Sequence, residues 1–310
     1  MNADTVRKNY KKYWSDYLTW EKKDHATEHM VYPNNLTESI AIDELTLSKG
    51  ELYTYLTAKD KGQKKGTLIA SIRGTKSEDI IKHCKEIPES ERKKVKEVSL
   101  DMAATMKLAA STLFPLALMV IDRFHVVKLV LEALQSVRIE YRWEAIALEN
   151  REIANCKEKK IKFEPAKLSN GETRRELLAR SRFLLFRLPS AWTSTQKERA
   201  QILFREYPKL REAYRKVVQF RKIYQQQSKL KAKAKFKKWI REIKLLKRDE
   251  FNSAANSIQY HLEDILNFFN NRTTNAHAES FNAKIKLYRA NLRGVSNTRF
   301  FLFRLEKLFS

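Results

Sequence analysis

Three carboxylates have positions that suit metal-assisted chemistry on phosphate. Asp43 follows the apolar run SIAI and Asp101 follows EVSL, so each aspartate lies at the end of a strand-like segment. Glu279 lies near the start of a basic helical segment close to the C-terminus. If the two strands are neighbours in a sheet, their aspartates come close together, and a bound cation relieves the repulsion of like charges. Mg²⁺ and Mn²⁺ prefer such oxygen ligands, and they assist reactions of phosphodiesters.

Each of these acids also has an ordinary structural interpretation. An aspartate at a strand end can initiate a turn or cap the helix that follows. A glutamate near the start of a surface helix is favoured by the helix dipole. Residue type and spacing leave both interpretations open.

The helical segment that contains Glu279 has two distinct faces at about 100° per residue. The apolar face, which we expect to pack on the sheet, consists of Ala278, Phe281, Ile285, Tyr288 and Leu292. The polar face consists of Glu279, Asn282, Lys286, Arg289 and Arg293. An acid within a basic and amide face predicts a cation held beside a DNA strand, with the four other residues contacting DNA.

Five short runs rich in β-branched and aromatic residues predict the strands that position the aspartates. They are ESIAIDELTL, GELYTYLTAKD, GTLIASIRG, VKEVSLDM and ALMVIDRFH. Three antiparallel strands, a helix and then strand–helix–strand predict a mixed sheet with helices on its faces. In the preceding lead-in, Tyr10, Tyr13, Tyr17 and Trp20 recur at 3-4-3 spacing, which predicts one amphipathic helix.

Charge predicts the kind of partner. The 62 Lys and Arg residues outnumber 37 Asp and Glu and give a net charge of +25, which favours a polyanion such as nucleic acid. The helical region 149–265 is strongly basic, and its extreme is SKLKAKAKFKKWIREIKLLKR. We expect phosphate contacts there from Lys231, Lys233, Lys235, Lys237 and Lys238. A solvated helix face is the alternative.

Other features of the sequence exclude several classes of protein. The longest apolar run, LFPLALMVI, has about half the ~20 residues that a membrane span needs, so we expect no membrane partner. The start of the chain lacks the apolar core of a signal peptide, which predicts a cytoplasmic protein. Cys84 and Cys156 are too few for a disulfide framework or a cysteine-based zinc site.

Two sequence blocks carry a family resemblance. They are DRFH at Asp122–His125 and NAHAESFNAKIK at Asn275–Lys286, and AIDELTLSKGELYT, KEVSLDMA and LRGVSNTRFFLFRL accompany them in order. With these blocks the sequence resembles the DDE transposases of bacterial insertion sequences, from about residue 10 to the end.

The resemblance implies an α/β fold, an RNase H-like mixed five-stranded sheet flanked by helices, with a large all-α insertion. The implied divisions are an N-terminal helical lead-in (1–38), the first part of the catalytic domain (39–148), a basic helical insertion (149–265) and the last part of the catalytic domain (266–310). Asp43, Asp101 and Glu279 match the acidic trio, which would make them the catalytic residues and the metal ligands. Asp122 and His125 match a supporting D-x-x-H motif. Asp122 also ends an apolar strand, so the second acid could be Asp101 or Asp122, and a lone histidine such as His125 is more often structural than a ligand.

The implied activity is cleavage of a phosphodiester at the element's end and transfer of that end to target DNA, with two Mg²⁺ or Mn²⁺ ions. Its partners would be double-stranded DNA, at the transposon ends and at the target, and a second copy of the chain in a homodimer on DNA. Relatives often begin with a zinc-binding segment and a helix-turn-helix. This sequence has no such cysteine cluster, so end recognition would reside in a separate polypeptide, or the chain would be a truncated copy. The alternatives are a non-catalytic DNA-binding protein derived from a transposase and an RNase H-like nuclease without strand transfer.

Overall fold

The computed structural model describes residues 2–46, 50–59, 67–272, 276–292, 295 and 297–310, and for residues 3, 4 and 276–279 it describes the backbone alone. The chain forms two compact units. The first unit consists of Met1–His125 and Glu263–Ser310, and the second of Val126–Leu262. Each unit has buried apolar side chains of its own.

The first unit contains a six-stranded mixed sheet. Its strands are β1 (His29–Val31), β2 (Ser39–Thr46), β3 (Leu52–Ala58), β4 (Leu68–Arg73), β5 (Glu97–Leu100) and β6 (Leu118–Ile121). They lie in the order β1-β4-β3-β2-β5-β6. The pairs β1/β4, β4/β3 and β3/β2 are antiparallel, and the pairs β2/β5 and β5/β6 are parallel. The prediction of an α/β chain with a mixed sheet is therefore confirmed.

Helices occur before, between and after these strands. In chain order they are α1 (Ala3–Asn9), α2 (Ser77–Cys84), α3 (Glu89–Arg92), α4 (Ala104–Leu113), α5 (Arg123–Glu158), α6 (Arg174–Arg180), α7 (Arg182–Phe186), α8 (Ser194–Glu206), α9 (Pro208–Ile223), α10 (Lys229–Lys244), α11 (Asp249–Tyr260), α12 (Leu262–Leu266), α13 (Phe268–Asn271), α14 (Ala276–Asn291) and α15 (Thr298–Phe309). Parallel strands need a crossover connection. Here α2 and α3 connect β4 to β5, and α4 connects β5 to β6.

The prediction of five strands is wrong by one. β1 adds a sixth strand at the edge, where its residues pair with those of β4 from His29↔Ile72 to Val31↔Ala70. A three-residue strand is too short to show an alternating pattern, and its pairing depends on a segment about 40 residues further along the chain. Local periodicity therefore could not reveal it.

The lead-in is not the single amphipathic helix that its aromatic spacing predicts. α1 ends at Asn9, a π-helical turn covers Tyr10–Trp14, and a 3₁₀ turn covers Asp16–Thr19. The wider π turn changes which side chains share a face, so Tyr17 is buried while Tyr13 remains 68% exposed.

Aromatic packing against α15 explains this irregular path. Tyr17 lies edge-on to Phe300 with ring centroids 5.0 Å apart, and Trp20 lies 5.4 Å from Phe303 in the same manner. The indole nitrogen of Trp20 also donates to the Glu306 carboxylate at 3.0 Å. Edge-to-face aromatic pairs stabilise by about 0.5–1.5 kcal/mol beyond their buried area, so these contacts outweigh local helix propensity.

The C-terminal segment returns to the sheet of the first unit. The side-chain amide of Asn267 donates to the Met119 carbonyl of β6 at 2.8 Å, and that of Asn271 donates to the Glu97 carboxylate of β5 at 3.2 Å. α14 follows and contacts β2. The chain thus brings a late helix to the strand that carries Asp43.

The second unit is helical in its described residues. In α10 the apolar residues recur at helical spacing and are buried, and these are Ala232, Phe236, Trp239, Ile240 and Ile243. Trp239 packs on Phe220 of α9 with ring centroids 4.6 Å apart, and its indole nitrogen donates to the Lys216 carbonyl at 2.9 Å. The basic residues of α10 consequently occupy the other side of the helix.

A salt-bridge cluster links the loop before α6 to two helices of the second unit. Glu172, 4% exposed, accepts hydrogen bonds from Arg180 at 2.9 Å and from Arg199 at 2.8 Å. Burial alone would raise the pKa of Glu172, but the hydrogen bonds from Arg199, Arg180 and Asn170 outweigh it and lower the pKa to about 2. The buried carboxylate therefore remains charged and paired.

Candidate active site

Asp43 and Asp101 lie beside each other on neighbouring strands. Asp101 directly follows β5, as predicted, but the prediction that Asp43 ends a strand is wrong, because β2 continues to Thr46 along its antiparallel partner β3. β2 and β5 are neighbouring parallel strands, with Ala41 paired to Ser99. Asp43 lies two residues beyond Ala41, and Asp101 lies two residues beyond Ser99, so the two aspartates are level on adjacent strands. The condition that the sequence argument set for their convergence, adjacency of these two strands, is met.

Asp122 reaches the same edge from the next strand. Ile121, the last residue of β6, pairs with Leu100, and the backbone N–H of Asp122 donates to the Leu100 carbonyl at 2.9 Å. Asp122 is 4% exposed, whereas Asp43 and Asp101 are half-buried. Asp122 is therefore the most buried of the three aspartates that meet here.

The electrostatics of Asp43 reflect this crowding. Burial raises the pKa of Asp43 most strongly, and the nearby carboxylates of Asp101 and Asp122 raise it further. A hydrogen bond from the Glu44 backbone N–H at 2.9 Å and the half-buried His125 act in the opposite direction. The folded protein therefore holds Asp43 in an environment that disfavours its negative charge, as sites for cations often do.

Glu44 is a fourth acid at this edge, and the sequence argument did not identify it. It is half-buried, and its pKa is raised, first by burial and then by the charges of Asp101 and Asp43. Position 44 follows Asp43 directly, so period-two alternation assigns it to the other face of the strand. Only the pairing of β2 with β5 shows that the charge of Asp101 acts on Glu44.

The predicted turn role of Asp101 is also present. One carboxylate oxygen of Asp101 accepts a hydrogen bond from the backbone N–H of Ala103 at 2.8 Å, just before α4 begins. Such a bond is the usual role of an aspartate before a helix. Structural and metal-binding roles are compatible here, because a carboxylate has two oxygens with several lone pairs.

The late helix α14 contacts Asp43 directly. The side-chain amide of Asn282 donates to the second carboxylate oxygen of Asp43 at 2.6 Å, across 239 positions of sequence. The amide oxygen of Asn282 is buried and has no hydrogen-bond partner among the described residues. The spacing of the polar face predicts that Asn282 contacts DNA, and its hydrogen bond to an aspartate of the sheet is a further role that the spacing does not predict.

The apolar stripe of α14 packs as predicted in the residues that can be assessed. Phe281 and Ile285 are buried in one core with Tyr53, Tyr55 and residues of α15, and Tyr288 and Leu292 pack against that core. The side chain of Ala278 lies outside the described residues.

The polar face of α14 is described in part. The backbone of Glu279 lies in α14, but its side chain lies outside the described residues, as does the whole of Arg293. Lys286 is exposed and Arg289 is half-buried. Position 279 is three residues before Asn282, a spacing that puts two positions on the same face of a helix.

The basic residues of α10 lie in the second unit. Lys231, Lys235, Lys237 and Lys238 are exposed, and Lys233 is half-buried. Lys238 lies 3.8 Å from Glu242, a long surface pair that contributes little. Exposure leaves the ammonium groups of the four exposed lysines accessible to a phosphate backbone.

The acids at the sheet edge fit a hard divalent cation in kind. Asp43 and Asp101 supply carboxylate oxygens, which Mg²⁺ and Mn²⁺ prefer. In the described part of the chain, however, Asp43, Asp101 and Asp122 do not bring three ligand oxygens within 4.8 Å of one another.

Comparison with known proteins gives one match. Residues 40–305 match the family model of ISL3-type DDE proteins, which is described as a transposase. The match begins in β2 and ends in α15, so it contains the sheet edge, the second unit and α14. No curated protein and no solved structure matches the chain. Among the described residues, no helix is both long and apolar enough to cross a bilayer.

Proposed function

This chain belongs to the DDE transposases of the ISL3 type, and from that membership we propose that it cuts the DNA at the ends of an insertion sequence and joins those ends to target DNA. Asp43, Asp101 and Glu279 are the proposed acids. The observation that supports this most is the contact of Asn282 with Asp43 at 2.6 Å, because it brings α14, the helix of Glu279, to the edge where Asp43 and Asp101 are level.

The proposed fold is RNase H-like. Three antiparallel strands followed by two parallel strands with helical crossovers support it, and β1 then adds a strand at the edge. The all-α second unit is the proposed insertion, which separates the first two acids from the third in sequence. The finer division into domains 1–38, 39–148, 149–265 and 266–310 remains a prediction.

The proposed cofactor is a pair of Mg²⁺ or Mn²⁺ ions held by Asp43, Asp101 and Glu279. When bound, such ions activate a water molecule and stabilise the leaving oxygen of an in-line displacement. The raised pKa of Asp43 supports a cation there, because a nearby positive charge offsets the burial and carboxylate repulsion that disfavour the ionised form.

The side chains of the protein would act by positioning and by charge. Asn282 fixes one oxygen of Asp43, and the Glu44 N–H fixes the other, so the carboxylate has a defined orientation. His125 lowers the pKa of Asp43 and thereby favours the ionised carboxylate. Asp122 and His125 are thus proposed to support the site.

In the proposed reaction, water attacks a phosphodiester phosphorus at the element's end, and the P–O bond to the 3′ oxygen breaks to release a 3′-hydroxyl. That hydroxyl then attacks a phosphodiester of the target and displaces its 3′ oxygen, which joins the strands. Neither step needs a covalent bond between protein and DNA. Phosphate contacts are proposed for Asn282, Lys286, Arg289 and Arg293, and for the five lysines of α10.

The proposed partners are double-stranded DNA, at the element's ends and at the target, and a second copy of the chain, since two ends must be joined. A separate polypeptide for end recognition is also proposed. The +25 charge supports a polyanionic partner.

The proposal is tested with purified protein, Mg²⁺ and a labelled duplex that ends in the element's terminal sequence. We expect wild type to release a 3′-hydroxyl end and to form joined products, and Glu279→Gln to bind the duplex without cutting it. Glu198→Gln, which changes an exposed glutamate of α8, is the matched control and keeps activity.

Other outcomes identify the alternatives. Cleavage without joined products identifies a nuclease that does not transfer strands. Binding that is equal with EDTA and never followed by cleavage, even with an end-recognition partner added, identifies a DNA-binding protein. Equal cutting by wild type and Glu279→Gln overturns the role of Glu279.

A further inference from the structure

Three imidazole rings stack where the edge strand meets α2. The ring of His29 in β1 lies between those of His25 and His83, with centroid distances of 4.5 Å and 3.8 Å. A nitrogen of His25 is 3.0 Å from the His29 carbonyl oxygen, so His25 is already engaged with the backbone. This cluster is separate from the aspartates that the proposed function uses.

Glu86, in the turn after α2, brings a carboxylate to the rings of His29 and His83. One Glu86 oxygen lies 3.1 Å from Nε2 of His29 and 3.9 Å from Nδ1 of His83. One ligand atom from each of His29, His83 and Glu86 lies within 4.8 Å of the others. Ligands of a tetrahedral zinc ion are about 3.3–3.6 Å apart, given bonds of about 2.0–2.2 Å, so the three atoms are close to the spacing that zinc needs. Because the lone pair of an imidazole nitrogen lies in the ring plane, binding requires the His29 and His83 rings to turn out of their stacked arrangement.

We propose that His29, His83 and Glu86 form a binding site for a transition-metal ion, of which Zn²⁺ is the best fit, and that this ion fastens the edge strand β1 to α2. Two imidazole nitrogens and one carboxylate are a known zinc donor set, with the fourth position left to water. Magnesium is a poor fit, because it prefers oxygen ligands.

Burial and access both suit a bound ion. The side chains of His29 and His83 are 15% and 16% exposed, whereas that of Glu86 is 50% exposed and opens the cluster to solvent.

The position of the cluster gives the ion a structural role. β1 has only three residues and, among the strands that the structure describes, pairs with β4 and no other, so few strand-to-strand hydrogen bonds hold it. A metal that joins His29 to two residues at the end of α2 adds a cross-link between elements about 50 residues apart in sequence. Binding to the folded chain alone raises its stability by mass action.

The test uses the full chain with any polyhistidine tag removed, stripped with EDTA and then dialysed. Zn²⁺ is titrated in millimolar Mg²⁺, and calorimetry and thermal unfolding are recorded. We expect one zinc ion per chain at this site and a rise in Tm of about 5–10 °C at a hundredfold excess over Kd. Asp43→Asn, which alters the other acidic site, is expected to retain both signals.

Matched variants make the proposal falsifiable. His83→Asn and Glu86→Gln are expected to lose the zinc signal and the Tm rise, while Glu91→Gln, which changes an acid of the neighbouring α3, keeps them. Circular dichroism verifies that each variant is folded. If His83→Asn does not fold, Glu86→Gln still tests the site, because the side chain of Glu86 is half-exposed and its replacement should not disturb the fold. Absence of zinc binding by wild type, or unchanged binding by Glu86→Gln, overturns the proposal. The zinc site does not include Asp43. Failure of the zinc proposal would therefore not contradict the proposed function.

Discussion

At the scale of single residues, the proposed site depends most on Asp43. Its carboxylate accepts two hydrogen bonds, yet its pKa is raised because burial and the charges of Asp101 and Asp122 outweigh them and His125. For an acid, a raised pKa means that the folded state binds the proton more tightly than the unfolded state. Without a cation, stability therefore falls as pH rises through the pKa of Asp43.

The hydrogen bond from Asn282 leads to a prediction about pH. Asn282→Ala removes a donor that stabilises the ionised Asp43, so the pKa of Asp43 rises further. We expect DNA cleavage to slow by about 10-fold or more at neutral pH, because a hydrogen bond to a charged group contributes about 1.5–3 kcal/mol. The acidic limb of the rate–pH profile should shift to higher pH.

Asn291→Ala is the matched control, since Asn291 is an exposed asparagine of the same helix. It should cleave at the wild-type rate across the whole pH range. An unchanged acidic limb in Asn282→Ala would mean that Asn282 does not tune Asp43.

Sequence patterns predict some residues of the proposed sites and not others. Asp43 and Asp101 could be predicted because each ends an apolar run, and strand adjacency then makes them level. The contact between Asn282 and Asp43 could not, since it joins two elements on opposite sides of the second unit in sequence. Glu44 and the cluster of His29, His83 and Glu86 likewise depend on tertiary packing and follow no local spacing rule.

At the scale of secondary-structure elements, α10 presents its lysines opposite a buried apolar face. Replacing Lys231, Lys235 and Lys237 by Gln leaves that face intact, so the fold should persist. If each lysine contacts a phosphate, the slope of log K against log salt becomes shallower by about 0.9 per contact, or about 2.7 for three. Fluorescence anisotropy with a labelled duplex at several salt concentrations measures this slope.

A second triple substitution controls for net charge. Lys157, Lys159 and Lys162 are exposed in the same unit, and their replacement by Gln removes the same three charges. Equal changes in slope for both triple variants would indicate a general charge effect, and α10 would then have no special part in DNA binding.

The Glu172 cluster gives a prediction about stability. Glu172→Gln should lower the free energy of unfolding of the second unit by about 2–3 kcal/mol at pH 7, because Arg180 and Arg199 lose a buried partner. The folded pKa of about 2 lies below the usual 4.5, so this stability is present above pH 4.5 and is lost as pH falls towards 2. Urea unfolding of both proteins at several pH values measures the difference.

Glu164→Gln is the control, since Glu164 is exposed in the loop that leads to Glu172. Its unfolding midpoint should match wild type throughout. A constant difference between wild type and Glu172→Gln from pH 7 to pH 3 would rule out the loss of a charged pair as the cause.

Elements differ in how far sequence predicts them. The five apolar runs became β2 to β6 because each is rich in β-branched and aromatic residues, and turn signals around Gly50 and in KDKGQKKG separate the first three. The lead-in failed as a helix because Tyr17 and Trp20 gain more by packing on α15 than by keeping helical spacing. β1 could not be predicted from the sequence, because a strand of three residues shows no pattern of its own and is recognised only by its pairing with β4.

At the scale of the whole molecule, the proposed catalytic residues and the proposed DNA-binding lysines of α10 lie in different units. The first holds the sheet edge, α14 and the proposed zinc site, and the second holds the basic α10. The +25 charge suits a chain that binds DNA, while acids at one sheet edge would be repelled by phosphate unless a cation is present. The proposed activity therefore depends on a bound metal ion.

The most direct test of that claim exchanges oxygen ligands for sulfur. Cleavage of the labelled duplex is measured for Asp43→Cys, Asp101→Cys and Asp122→Cys in Mg²⁺ and in Mn²⁺. Mg²⁺ binds thiolate poorly and the softer Mn²⁺ tolerates it better, so a true ligand loses activity in Mg²⁺ and regains part of it in Mn²⁺. We predict this recovery for Asp43→Cys and Asp101→Cys and not for Asp122→Cys. If neither Asp43→Cys nor Asp101→Cys recovers in Mn²⁺, the proposed metal site is contradicted.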